Sequence, residues 1–110
     1  MSILEKIKQE IESHPIIIFM KGTPEAPQCG FSARVANTLK ACGVPFATVN
    51  VLESPELRQG IKEYSKWPTI PQVYIKQQFI GGSDIVAEMY EKGELQQLIQ
   101  GLTTQIPDKE

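Results

Sequence analysis

Apolar and polar positions recur along this chain with periods that predict nine elements. Ile3, Ile7 and Ile11 return every fourth residue with Leu4 beside them, the spacing of one helical face. Ser2, three residues ahead of Glu5, supplies a capping box, and Pro15 marks the end of that helix. The unbroken run Ile16-Ile17-Ile18-Phe19-Met20, rich in β-branched residues, predicts a central strand covered on both faces. Gly22, Pro24 and Pro27 make residues 21–28 a loop. A second helix starts at or just after Cys29, carries Phe31, Val35, Leu39 and Cys42 on one stripe, and stops at Gly43. Residues 46–51 alternate, with Ala47, Val49 and Val51 on one face of a strand. Ser54-Pro55 opens a third helix, a capping side chain followed by proline at the first helical position, whose inner face is Leu57, Ile61 and Tyr64.

After the break Trp67-Pro68-Thr69-Ile70-Pro71, residues 72–75 and 79–80 predict two short strands joined near Gln77-Gln78, without the favoured Asn-Gly turn chemistry. Gly81-Gly82-Ser83-Asp84 opens a helix with Ile85, Met89 and Tyr90 inward and Gly93 as its stop. The last helix carries Leu95, Leu98, Ile99 and Leu102, and a polar tail, expected to be loose, follows from Thr103. The order α-β-α-β-α-β-β-α-α begins with a β-α-β unit, which predicts two parallel strands with a right-handed crossover. The expectation is a thioredoxin-like α/β fold: a four-stranded mixed sheet flanked by helices, one domain over residues 1–110.

Composition narrows the function classes. The chain has 110 residues, 41% of them hydrophobic and 22% charged, enough to bury a core without disulfides or structural metal. The net charge of -2 argues against nucleic acid or an anionic membrane as partner. The longest apolar run, residues 16–20, is too short to span a bilayer, and Glu5, Lys6 and Lys8 interrupt any signal-peptide core. Two cysteines are too few for a secreted disulfide framework, so the expected location is the cytoplasm. His14, before Pro15 at a helix end, fits the surface better than a metal site.

Cys29 is the centre of the chemistry. It sits after a proline-rich loop at the mouth of a helix, directly following the first strand, where backbone N–H groups and the helix dipole stabilise a thiolate. Lys21 adds a nearby positive charge. Cys42 lies 13 positions further along the same expected helix. At ~1.5 Å rise per residue the two are about 20 Å apart, beyond the roughly 7 Å between Cα atoms that a disulfide allows. Cys42 is therefore expected in the core. A dithiol oxidoreductase would carry a second cysteine where Cys29-Gly30-Phe31-Ser32 has Ser32. A mixed disulfide at Cys29 then needs an external thiol to resolve it, which points to glutathione.

Four segments, Met20-Lys21-Gly22, Pro27 to Ser32, Trp67-Pro68-Thr69-Ile70-Pro71 and Gly81-Gly82-Ser83-Asp84, occur in the order and spacing of a known family. Across nearly its whole length the chain resembles the monothiol glutaredoxins of the Cys-Gly-Phe-Ser class, in particular the short single-domain bacterial type. Ser83 departs from many relatives, which have cysteine there, though not as a cluster ligand. The resemblance implies a glutathione-dependent protein that holds or transfers a 2Fe-2S cluster. It implies Cys29 as nucleophile and as cluster ligand, shared with a second subunit in a cluster-bridged homodimer. It also implies recipient apoproteins and a BolA-type protein as partners.

The glutathione site expected on this basis has Lys21 and Arg58 receiving the glycyl carboxylate, with Lys62, one turn after Arg58, as a weaker candidate. Ile70, before a proline that resembles the fold's cis-proline turn, pairs with the cysteinyl unit in the manner of an added strand. Gly82 permits close backbone approach. Ser83 and Asp84 begin a helix whose N–H groups suit the γ-glutamyl carboxylate, and Asp84 takes the ammonium. Trp67 fits either the core or a platform beside the site. Two functions stay open at this level: a cluster carrier, or a glutathione-dependent thiol-disulfide oxidoreductase acting through Cys29. Ser32 and the residues Thr23-Pro24-Glu25-Ala26-Pro27, absent from dithiol relatives, favour the first.

Overall fold

The computed structural model describes residues 2–105. Its elements run α1 (Ile3–Ser13), β1 (Ile16–Met20), α2 (Gly30–Ala41), β2 (Ala47–Asn50), α3 (Pro55–Ser65), β3 (Gln72–Ile75), β4 (Gln78–Gly81), α4 (Ser83–Glu91) and α5 (Glu94–Gln105), with a 3-10 turn over Val51–Glu53. The sheet order is β2-β1-β3-β4. β1 pairs parallel with β2 and antiparallel with β3, and β3 pairs antiparallel with β4.

Central placement explains the unbroken apolar run of β1, all five residues of which are buried. Successive side chains alternate between the sheet's two faces. Ile16, Ile18 and Met20 join Val35, Leu39, Val86, Leu95 and Ile99 on the α2, α4 and α5 side. Ile17 and Phe19 join Ile7, Ile11, Ile61 and Tyr74 on the α1 and α3 side. Burying a side chain as completely as Ile17 or Phe19, both 0% exposed, contributes about 1.5–3 kcal/mol. Local signals hold at the helix starts. The Ser2/Glu5 capping box forms in full, and the Ser54 hydroxyl accepts the Leu57 N–H ahead of Pro55.

Several expectations shift. β2 is shorter than residues 46–51, though Ala47, Val49 and Val51 do share the α1/α3 side. The hairpin turn sits at Lys76-Gln77, one residue earlier than expected. Both residues have positive φ, 53° and 68°, the left-handed backbone that a two-residue type I′ turn demands. Phe31 is 60% exposed and leaves the α2 stripe, which is Ser32, Val35, Ala36 and Leu39. One helical position is a rotation of about 100°, enough to carry Phe31 off the core face. The same error affects α4: Ile85 and Tyr90 lie partly in solvent, and Val86 faces the core with Met89 packed against it.

Cys42 is half-buried and packs against the α2/α4/α5 cluster, as expected. α5 extends to Gln105, so Thr103 to Gln105 are helical where a loose tail was expected. The rest of that tail, 106–110, and the side chain of Leu102 lie outside the described residues. Among the described residues no helix is long and apolar enough to cross a membrane.

Candidate functional site

Cys29 is the N-cap residue of α2, with extended backbone (φ -156°, ψ 134°) and no capping bond from its own side chain. The first turn of α2 therefore directs its unpaired N–H groups at the sulfur. The Ser32 N–H is the strongest influence lowering the Cys29 thiol pKa. Partial burial opposes it, while the Phe31 N–H, the Lys21 charge and the Ser32 hydroxyl act in the same direction as the Ser32 amide. Cys42, at the other end of the same unbroken helix, is pushed the opposite way by burial alone. Alkylation of Cys29 in the reduced chain, followed against pH, is expected to show a midpoint below the ordinary thiol value of about 8.5. Because the shift is downward, the thiolate forms at a lower pH than a free thiol. A midpoint at or above 8.5 would mean that the helix does not stabilise it.

Ser32 is fully buried, and its hydroxyl oxygen accepts the Lys21 N–H at 3.1 Å. That bond leaves the hydroxyl proton for Cys29, so one side chain anchors the end of β1 and supports the thiolate. Gly22 is anchored next, its N–H donating to Asn50 Oδ1 at 2.9 Å. Gly22 has φ +88°, and a Cβ there would come within 2.6 Å of the Ala26 carbonyl oxygen and 2.7 Å of the Gln28 nitrogen. No other residue fits that turn. The segment expected as a loop is one, closed on itself by its own backbone bonds. Gly22 bridges Pro27, the Ala26 N–H donates to Thr23 O at 3.1 Å, and the Gln28 N–H donates to Lys21 O at 2.9 Å. The chain is thus handed back to Cys29 on a fixed path.

Beside Cys29 opens a groove of about 500 Å³. Lys21, Cys29, Ile70, Gly82, Ser83 and Asp84, all singled out from the sequence, line it. Ile70-Pro71 is a cis peptide. A Cβ on Gly82 would stand 3.2 Å from the Pro71 carbonyl oxygen, so glycine lets the start of α4 close against the proline turn. Ser83 is buried, and its hydroxyl has no hydrogen-bond partner. A buried, unpaired hydroxyl is costly unless something else completes it. The Asp84 carboxylate is exposed and has Arg34 Nη1 at 3.9 Å, a solvent-screened contact.

Arg58 is not on this groove. It is exposed and borders a separate depression with Val51, Leu52, Pro55 and Gln59. Lys62, ranked second from the sequence, lines both. One turn of α3, about 5.4 Å, separates the two cations, and only the later one reaches the proline turn. The remaining lining residues, Phe31, Trp67, Pro68, Thr69, Pro71 and Ile85, were not assigned to the site from the sequence. Trp67, left between core and platform, is a wall: it is 36% exposed, with its ring against Phe79 at 5.6 Å between centroids. Phe31 and Ile85 fell on the expected apolar stripes, and the one signal against that reading was that each stands close in sequence to a candidate site residue.

Among the described residues no three His, Cys, Asp or Glu side chains converge as a metal site. His14 sits at the end of α1 with Glu10 Oε1 3.9 Å away, and it does not line the groove. The groove therefore offers one activated thiol, a cation pair, an apolar wall and a helix start with an unpaired hydroxyl.

Comparison with known proteins agrees with this arrangement. Residues 16–80 match the Glutaredoxin family model. The chain is 52% identical to Glutaredoxin 4 of Buchnera aphidicola over 90% of its length and 92% of the relative's. It is 50% identical to mitochondrial monothiol glutaredoxin-5 of Saccharomyces cerevisiae, over 98% of this chain and 74% of the relative's. Reduced poplar apo GrxS14 superposes with a TM-score of 0.79 at 48% identity, over 91% of this chain and 92% of the other. A monomeric truncated mutant of Trypanosoma brucei 1-C-Grx1 gives 0.83 at 41%, over 94% and 93%. With its thioredoxin-like sheet, its cysteine at the mouth of α2 and a serine where a second cysteine would close a disulfide, the chain belongs to the glutaredoxin family, in its monothiol branch.

Proposed function

We propose that this protein binds glutathione in the groove and carries 2Fe-2S clusters to recipient apoproteins in the cytoplasm, with Cys29 as its own cluster ligand. The observation that carries the reading is the pairing of an activated Cys29 with a buried, hydrogen-bonded Ser32. The thiolate is available but has no internal thiol to capture it. Glutathione offers two carboxylates, an ammonium and a thiol, and the groove has a counterpart for each. Lys21 and Lys62 receive the glycyl carboxylate, with Arg58 adding charge one turn away. Ile70 pairs with the cysteinyl backbone. The Ser83 hydroxyl, unpartnered in the chain, and the first N–H groups of α4 receive the γ-glutamyl carboxylate. Asp84 takes the ammonium. The peptide's own thiol then lies beside Cys29.

The donor set fits an iron-sulfur cluster as far as one chain can: a single low-pKa thiolate at an accessible helix start. A cluster bound there supplies iron and sulfide for transfer. The chain's own part is to hold Cys29 as thiolate, to orient glutathione and to keep Ser32 out of thiol chemistry. Lys40 Nζ, 3.4 Å from the Pro24 carbonyl oxygen, ties the 23–27 segment to the last turn of α2.

The same thiolate serves an oxidoreductase. It would attack a glutathionylated disulfide, form a Cys29–glutathione disulfide and release the other thiolate; a second glutathione thiolate would then regenerate Cys29 and leave as glutathione disulfide. Colour decides between the two. Anaerobic reconstitution with iron, sulfide and glutathione is expected to give a red-brown protein with visible cluster absorption. A colourless protein with full thiol-exchange activity would overturn the carrier reading.

A further inference from the structure

Gln72, the first residue of β3, is fully buried yet carries a carboxamide. Its Nε2 donates to the Trp67 carbonyl oxygen at 3.2 Å and to the Thr69 carbonyl oxygen at 3.2 Å. Its Oε1 accepts from the Tyr74 hydroxyl at 3.3 Å. Two carbonyl neighbours require a donor and a hydroxyl neighbour suits an acceptor, so these contacts settle which end of the amide is nitrogen. Burying an amide costs free energy unless it is paired. Here every pairing is spent on the backbone just ahead of the cis proline or on the tyrosine beneath it.

The direction of the Thr69 carbonyl has a geometric consequence. In a trans peptide the C=O and the next N–H point opposite ways, and the Thr69–Ile70 bond is trans, the cis bond being Ile70-Pro71. Gln72 pulls the Thr69 oxygen inward, so the Ile70 N–H is turned away from the interior. Among the described residues that N–H meets no acceptor, although Ile70 is only 6% exposed and lines the groove.

We infer that Gln72 is a positioning residue: its carboxamide fixes the Thr69–Ile70 peptide plane so that the Ile70 N–H stands in the groove as a donor to an extended peptide ligand. This deepens the glutathione reading and rests on it. Gln72 touches no ligand; it acts through the backbone of residue 70. Tyr74 supports it from below, its ring packed against those of Phe19, Tyr64 and Phe79 while its hydroxyl donates to Gln72.

The test compares Gln72→Met, similar in length but without donors, with the unchanged chain. Glutathione affinity is measured by calorimetry and the Cys29 thiol pKa by alkylation. Affinity is expected to fall at least tenfold with the thiol pKa unmoved, since nothing at the start of α2 is altered. A folded variant with unchanged affinity overturns the inference. Should the variant not fold, hydrogen exchange on the unchanged chain decides. The Ile70 amide is expected to exchange rapidly in the free protein and to become protected with saturating glutathione. An Ile70 amide already protected without ligand overturns the inference. No binding by the unchanged chain overturns the glutathione reading instead, while the exchange of the free Ile70 amide still tests the peptide orientation.

Discussion

Cys29→Ser will yield a folded, colourless chain that neither retains a 2Fe-2S cluster nor exchanges glutathione. The expected loss is complete, because Cys29 is the one thiol lining the groove. Folding should not suffer. Residue 29 is the N-cap of α2 and already has extended backbone, and serine is among the preferred residues there. The present cysteine makes no capping bond, so serine has a bond to gain. The control is Cys42→Ala. Cys42 is half-buried at the far end of α2, and its removal should cost about 1 kcal/mol of stability. Cluster binding should survive it. Visible absorption after anaerobic reconstitution, with thermal melting alongside, checks both. Retained cluster absorption in Cys29→Ser would sink the ligand assignment. A Cys42→Ala protein that folds but stays colourless would show that Cys42 had been misread.

The cluster-loaded protein is expected to be a dimer that contains two glutathiones, and the cluster-free protein a monomer. A 2Fe-2S cluster takes four ligands, usually thiolates. One chain can offer Cys29 alone. Cys42 caps the other end of the same 12-residue helix, about 20 Å away at ~1.5 Å per residue. Two chains provide two thiolates, and two bound glutathiones provide the others. Little direct protein contact is then needed. Gel filtration of the loaded form, with iron and glutathione counted per chain, tests this. Exchanging glutathione for a different reductant and desalting should release cluster and dimer in one step. A loaded monomer, or a stable loaded dimer without glutathione, would refute the arrangement.

The element order, the buried central strand, the Ser2 and Ser54 helix caps, the place of Cys29 at a helix start and about half of the groove's lining were legible in the sequence, because each rests on local physics. A fivefold apolar run has to be covered on both sides. Ser54-Pro55 starts a helix wherever it stands. A cysteine at a helix mouth meets N–H groups that lower its pKa whatever lies beyond it. What the tertiary structure decided is which flank of each element meets the groove. Periodicity assigns a residue to a helical face only to within one position, about 100°. Phe31 and Ile85 therefore looked like core, and Arg58 looked more suitable than Lys62. The relative placement of α2, α3, α4 and the proline turn resolved all of these. The supporting contacts were further out of reach. Asn50 holding Gly22 spans 28 positions, Ser32 holding Lys21 spans 11, and neither leaves a periodic trace. Gln72 hid for a different reason. A glutamine opening a buried strand looks like an edge residue, until the backbone carbonyls of Trp67 and Thr69 are folded onto its amide and turn a polar misfit into the support of the groove.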